Sequence, residues 1–197
     1  CSDFAVMKKG SIMSVSSPRL VSMAIGEKVD LEELGGWRLH ADQTGLIDRF
    51  VDTDEEAMAE LKRFLSYMPS NNELLPPDYD PVEGAAQAQG EILEVLPERQ
   101  ATVYDMRKII KIVVDKNSFF EFKPRFGKAG TVGLARLNGK SVGIVANNPQ
   151  FGGGALSQEA CRKIIDFQVM CDSFNIPIVR FMDTPGFVVG TEAERKG

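Results

Sequence analysis

Three patterns in the sequence point to an α/β architecture: an amphipathic segment from Ser157 to Phe174, an apolar stretch right after it from Ile176 to Met182, and an Asn138-Gly139 pair between two apolar runs. In the first, Ile164, Phe167, Cys171 and Phe174 recur at helical spacing and mark a core-facing stripe. The second is too dense in β-branched and aromatic residues for an exposed loop and reads as a buried strand of the parallel type. Pro177 opens it where a missing N–H costs little. In the third, Val132–Leu137 and Ser141–Ala146 flank a dipeptide suited to a type I′ hairpin turn, which needs positive φ at both central residues.

The remaining elements follow in chain order. Phe4–Met7 and Ser11–Val15 read as short strands around the Lys8-Lys9-Gly10 turn. Ser17 followed by Pro18 marks a helix start, with the hydroxyl at the N-cap and proline at the first helical position. Leu31–Leu34 is a helical turn stopped by Gly35-Gly36, and Ile47–Val51 is a strand. Asp54 begins a helix that sets Ala57, Leu61, Phe64, Leu65 and Met68 on one face, with Glu55, Glu56, Glu60, Lys62 and Arg63 opposite, until Pro69 ends it.

Residues 70–100 are poor in large apolar side chains and contain Pro76-Pro77-Asp78 and Ala85-Ala86-Gln87-Ala88-Gln89-Gly90. They read as a linker, with room for a short helix, between a first unit at 1–69 and a second at 101–197. In the second unit Thr102 is expected to cap a helix carrying Met106, Ile109, Ile110 and Val113, and Phe119–Phe122 resumes strand character. Phe151-Gly152-Gly153-Gly154 reads as a flexible connector.

Directly after the apolar strand comes Asp183-Thr184-Pro185-Gly186-Phe187. Pro185 fixes one φ angle and Gly186 lacks a Cβ, so main-chain groups around Phe187 can approach a small polar molecule closely. The same pattern also suits an ordinary strand-to-helix turn. Asp183 is expected to orient the loop by accepting backbone N–H bonds.

Composition narrows the functional classes. The chain has 197 residues, 43% hydrophobic and 26% charged, as expected of one large or two small globular domains. No stretch approaches the ~18 apolar residues of a membrane span, and the first residues lack a secretory signal pattern, so a cytoplasmic protein is expected. A net charge of −5 argues against nucleic-acid binding. Cys1, Cys161 and Cys171 have no metal-ligand spacing; the last two read as core thiols, while Cys1 has no assigned place. The lone histidine, His40, sits far from the second unit's strand ends and reads as structural, and no Ser-His-Asp or Cys-His set can be assembled. Asp183-x-x-Gly186 after a strand is similar to a GTPase switch element, but the G-x-x-x-x-G-K-[ST] loop is absent.

Five segments in order carry a more specific resemblance: Tyr104-Asp105-Met106, Phe119-Phe120-Glu121, Val142 through Pro149, Cys171 through Pro177, and Asp183 through Phe187. Together they resemble the carboxyltransferase (β) subunit of biotin-dependent acyl-CoA carboxylases, of the propionyl-CoA carboxylase type. Glu32-Glu33-Leu34-Gly35-Gly36, His40, Gly45 and Tyr67-Met68-Pro69 resemble the end of that family's first half. The three consecutive glycines at 152–154 depart from the family's usual pattern.

The resemblance implies a crotonase-like (ClpP-like) carboxyltransferase fold, with the chain spanning the end of the first half and the beginning of the second. It implies carboxyl transfer from carboxybiotin to the α-carbon of an acyl-CoA thioester, without a metal. Two oxyanion sites are then needed, each fixed backbone donor contributing ~3 kcal/mol, and the family's donor pairs would lie upstream of Cys1 and downstream of Gly197. Within the chain, Pro185, Gly186 and Phe187 are the expected biotin-binding residues, with the Phe187 carbonyl accepting from the ureido N–H. Implied partners are a biotin carboxyl carrier, a biotin carboxylase component and, at full length, further copies in a dimer or hexamer. A related decarboxylase α-subunit, or an inert fragment serving as an interaction module, are the alternative readings.

Overall fold

The protein is described by a computed structural model covering residues 3–80, 89–99 and 102–196. Cys1 and the Ala85-Ala86-Gln87-Ala88 run lie outside the described residues. The chain forms two compact units, one reaching Arg63 and including Lys123–Phe126, the other holding Phe64–Phe122 and the chain from Gly127 onward.

In the first unit β1 (Val6–Lys8) pairs in parallel with β2 (Arg49–Val51), Met7 lying opposite Phe50. Helix α1 (Pro18–Ile25) starts as expected, with the Ser17 hydroxyl accepting from the Leu20 N–H at 3.3 Å. Helix α2 (Leu31–Gly35) follows with Asp30 as its cap, then α3 (Trp37–Leu39), which runs into a wide π-type turn at His40–Thr44. Met7, Trp37, Ala41 and Ile47 form the core, where Trp37 stacks on Phe50 at 4.6 Å between ring centroids. The expected strand at Ser11–Val15 does not form. The partner of β1 is the distant β2, and Met13 instead donates its N–H to the Gly35 carbonyl at 2.8 Å.

Helix α4 (Asp54–Leu65) ends before Pro69, because the N–H groups of Tyr67 and Met68 turn back to the carbonyls of Phe64 and Leu65 in a tighter turn. That tightening changes which side chains are covered: Tyr67 and Met68 are buried, while Leu65, expected on the core face, is exposed.

The second unit is built on a four-stranded sheet in the order β3 (Phe120–Phe122), β4 (Gly130–Leu137), β5 (Lys140–Asn147), β6 (Ile178–Phe181). β4 and β5 form the expected hairpin, with φ of 51° at Asn138 and 79° at Gly139. The buried Asp115 carboxylate closes that turn by accepting both the Asn138 and Gly139 N–H groups, at 2.9 and 2.8 Å. Strand alternation then decides the layers. On one face of β5, Val142, Ile144 and Ala146 pack with Met106, Ile109 and Ile110 of α6 (Met106–Val113). On the other face, the Cβ position of Gly143 looks onto Cys171 and Phe167 of α7 (Gln158–Ser173). Because helices cover both faces, β5 is buried from Ser141 through Asn147, and residues 142–146 read as a continuous apolar run.

Three expectations need correcting in this unit. The cap of α6 is Asp105, whose carboxylate accepts the Arg107 N–H at 3.1 Å, in place of Thr102. β6 pairs in parallel with β5 as expected but occupies the sheet edge, so that Ile178–Phe181 are partly covered at best and Met182 is exposed; only Ile176, just before the strand, is buried. Cys171 is buried as expected, whereas Cys161 is only half-buried, on the open side of the first turns of α7.

The stretch after Pro69 is tied down at several points. The Asn175 amide donates to the Asn72 and Leu74 carbonyls at 2.7 and 3.2 Å. The Arg136 guanidinium lies between the Tyr67 and Tyr79 rings, 4.2 and 4.1 Å from their centroids. Helix α5 (Gln89–Val95) occupies the place where a short helix had room, and α8 (Thr191–Lys196) ends the described chain.

Candidate functional site

The carboxyl end of β5 is Asn147-Asn148-Pro149, and its two asparagines hold different pieces of the second unit. Asn147, 4% exposed, uses its side-chain amide on the main chain of Asp183. Its Oδ1 accepts the Asp183 N–H at 2.7 Å, and its Nδ2 donates to the Asp183 carbonyl. Asn148, fully buried, donates from Nδ2 to Asp105 at 2.8 Å and accepts the N–H groups of Met106 and Gln150 at 3.2 Å each. One asparagine therefore fixes the start of the Asp183–Phe187 loop and the next fixes the start of α6.

Asp183 is positioned by Asn147, and its carboxylate has a different partner from the expected backbone N–H. It accepts the Tyr104 hydroxyl at 2.7 Å. Partial burial, and then this bond to a carboxylate, push the Tyr104 hydroxyl up to about 12, so it stays a donor throughout the neutral range. Next to it, burial favours the protonated form of Asp105. The bonds from the Arg107 side chain and N–H and from Asn148 outweigh that, leaving the carboxyl below its usual range.

The triple glycine is part of this arrangement, contrary to the reading as a flexible connector. Gly152–Gly154 form a 3₁₀ turn with φ of 59°, 65° and 83°. Gly154 is buried against the loop: a Cβ there would lie 2.6 Å from Asn147 Nδ2 and 2.8 Å from the Asp183 carbonyl oxygen. The absence of a side chain is what lets the segments close together. The Thr184 hydroxyl lies 2.8 Å from the Gly154 carbonyl, to which it donates, and accepts the Gly186 N–H at 3.1 Å.

Beyond Thr184 the loop runs beside Leu156. The Leu156 N–H donates to the Gly186 carbonyl and its carbonyl accepts the Val188 N–H, both at 2.9 Å. This one-rung parallel pairing turns the N–H and C=O of Phe187 the other way. Neither has a hydrogen-bond partner among the described residues. The Phe187 ring is 70% exposed and, with Leu156, Cys161, Val188 and Ala193, lines a cleft of about 420 Å³. Gly186 has φ 126°, a region that favours glycine, with nothing within 4 Å of the position a Cβ would take. Pro185 is exposed beside it.

Sequence reasoning placed the loop but gave no role to Asn147, Tyr104 or Gly154, which hold it. A polar residue ending a buried strand was the available signal, since ligand crevices in α/β sheets form at the carboxyl ends of strands. His40 lies in the first unit, 6% exposed; its Nε2 donates to the Met13 carbonyl at 2.7 Å and its Nδ1 meets the Thr44 hydroxyl at 3.0 Å, a structural placement. Among the described residues no group of three or more His, Cys, Asp and Glu side chains could hold a metal ion, and no helix is long and apolar enough to cross a membrane.

Known proteins resemble the chain over nearly its whole length. The chain is 39% identical over 196 residues to the propionyl-CoA carboxylase carboxyltransferase subunit of Haloferax mediterranei, covering 99% of the chain and 38% of that protein. It is 35% identical to the mitochondrial propionyl-CoA carboxylase β chain of Homo sapiens, covering 36% of it. Among solved structures, transcarboxylase 12S with methylmalonyl-coenzyme A and methylmalonic acid bound superposes with a TM-score of 0.94 at 34% identity, covering 100% of this chain and 38% of that one. A single-chain, multi-domain long-chain acyl-CoA carboxylase matches with a TM-score of 0.84 at 25% identity over 98% of this chain and 18% of its own. The chain thus spans a little over a third of the length of the curated relatives it matches, and it has their α/β fold. The carboxyl transferase domain family matches residues 1–197, from end to end, and the protein belongs to that family.

Proposed function

We propose that this chain is part of a cytoplasmic carboxyltransferase that moves a carboxyl group from carboxybiotin, presented by a carrier protein, to the α-carbon of an acyl-CoA thioester. The observation that carries the reading is the main chain of Phe187. Its N–H and C=O are left unpaired by the Leu156 pairing, and the residue lines an open cleft, in a chain whose whole length matches the carboxyl transferase family. A cyclic urea presents N–H donors and a carbonyl acceptor, so exposed peptide groups suit it.

In the transfer the N–C bond of the carboxylated ureido ring breaks, a C–C bond forms at the α-carbon, and the α-proton ends on the ureido nitrogen. The Phe187 carbonyl would accept from the ureido N–H and keep the ring oriented. Gly186 supplies the backbone turn that presents that carbonyl, and Pro185 limits its freedom. The Thr184 hydroxyl ties the turn to Gly154. In this reading residues 1–69 close one half of the carboxyltransferase, 70–100 link, and 101–197 open the next. The full-length enzyme would work with a biotin carboxylase component and with further copies of itself.

The test is carboxyl transfer by the full-length enzyme carrying Gly186→Val. The site has space for the side chain but a φ that Val resists, so strain falls on the loop rather than on packing. Transfer should fall on the order of 10- to 100-fold, as expected for a misplaced binding group, with the thermal midpoint nearly unchanged. Unchanged transfer would remove the loop from the active site, and parallel loss of midpoint and transfer would make it structural.

A further inference from the structure

We infer that Asn147 is a positioning residue for the biotin side of the reaction, acting through Asp183 on the main chain at Phe187. The inference rests on the proposed transfer from carboxybiotin and deepens it by naming what sets the binding geometry.

The parallel pairing of β5 with β6 ends at Ala146 opposite Phe181. One residue later on β5, the Asn147 side chain takes over from the main-chain ladder. A carboxamide is itself a peptide-like unit, with a donor and an acceptor in one plane. Its orientation is fixed by its partners, because the Asp183 N–H can only donate and the Asp183 carbonyl can only accept. Two bonds to the main chain of one residue set both its place and its tilt. Aspartate, lacking a donor when ionised, would put an oxygen against the Asp183 carbonyl, and glutamine, one methylene longer, would push the residue away.

A second feature meets the first at the same point. Gly154 closes over the Asn147 amide and the Asp183 carbonyl with no room for a Cβ, and its φ of +83° is itself one that glycine favours. From there the geometry reaches Phe187 through few soft torsions. The Thr184 hydroxyl joins Gly154 to Gly186, proline fixes φ at 185, and Leu156 holds Gly186 and Val188 on either side of Phe187. Tyr104 adds a third hold on Asp183 through its carboxylate.

The experiment uses the full-length enzyme in the reverse assay, in which a carboxylated acyl-CoA thioester donates its carboxyl group to free biotin. There the C–C bond at the α-carbon breaks, the N–C bond to biotin forms, and the ureido proton passes to the α-carbon. For Asn147→Asp, the KM for free biotin should rise by about tenfold or more with kcat/KM for biotin falling alongside, while the KM for the thioester stays within about twofold, because only the biotin contact is displaced. Gly154→Ala should shift the same two constants in the same pattern. A biotin KM within twofold of wild type in a folded Asn147→Asp enzyme would overturn the inference, as would equal rises in both KM values with a fallen thermal midpoint. Should Asn147→Asp not fold, Tyr104→Phe decides: a rise in the biotin KM alone supports the inference, and no change in either KM overturns it. A wild-type enzyme that moves no carboxyl group to biotin would defeat the proposed function and this inference together. A wild type that transfers, with Gly186→Val impaired and Asn147→Asp unimpaired, would defeat the inference alone.

Discussion

Along β5 every residue from Ser141 to Asn147 is buried, whereas between Met182 and Gly190 none is. The two stretches are nevertheless joined at Asn147, and both have defined backbones. The strand is held by side chains that leave water on both faces of the sheet, a driving force that is large and non-directional. The loop is held by a few directed hydrogen bonds: Asn147 and Leu156 bond its main chain, Tyr104 bonds the Asp183 carboxylate, and the loop's own Thr184 hydroxyl ties it to Gly154. Apolar burial supplies stability, and directed bonds aimed at a backbone supply placement. A substitution should therefore damage the two properties to different degrees in the two places.

The largest effect is expected from emptying the strand's core. Ile144 is 0% exposed among Met106, Ile109 and Ile110, and Ile144→Ala should destabilise the protein by about 2–5 kcal/mol in urea unfolding. If folded Ile144→Ala enzyme also had a weakened biotin KM with normal stability, the division between the two regions would be wrong. A smaller effect distinguishes them by pH. Burial pushes the Cys171 thiol up to about 12 from 9.0, so its contribution to stability is complete below pH 9 and is lost as pH rises towards 12. Cys171→Ala should flatten that alkaline decline, read as urea midpoints between pH 8 and 11. The Tyr104 hydroxyl, raised in the same direction from 10.0, declines over a higher window, and solvent around it makes its share smaller. A decline that begins only above pH 10 and survives Cys171→Ala would place it at the loop instead. The smallest effect belongs to Phe187→Leu. Its ring is mostly exposed and the proposed contact is through the main chain, so stability should move by less than about 0.5 kcal/mol and transfer by less than about threefold.

The hairpin, the three amphipathic helices α4, α6 and α7 and the strand before the loop were legible because their signals are local: a turn dipeptide, a helical stripe, an apolar run. Edge position was not legible for β6, since an apolar run says that a segment avoids water and not which strand lies beside it. The Ser11–Val15 strand failed for a related reason: β1 found its partner in β2 across four tens of residues, and no local pattern announces that choice. At the site the sequence displayed the loop's flexible and rigid residues, Gly186 and Pro185, while concealing what holds them. Asn147, Gly154 and Tyr104 meet Asp183 only once the sheet is formed. Gly154 was misread because three glycines in a row suggest freedom, whereas here the missing side chain makes room for a neighbour's amide.

The adjacency of Asn147 and Asn148 bears on portability. A peptide copied from residues 176–190 would retain the Thr184 bond to Gly186 but lose Asn147, Gly154 and Leu156, so it should not keep the Phe187 carbonyl in place. A host protein would need the end of β5, the glycine turn and the segment entering α7 as well. Moving the start of α6 would then drag on the same strand end through Asn148, so the helix and the loop have to be transplanted as one piece.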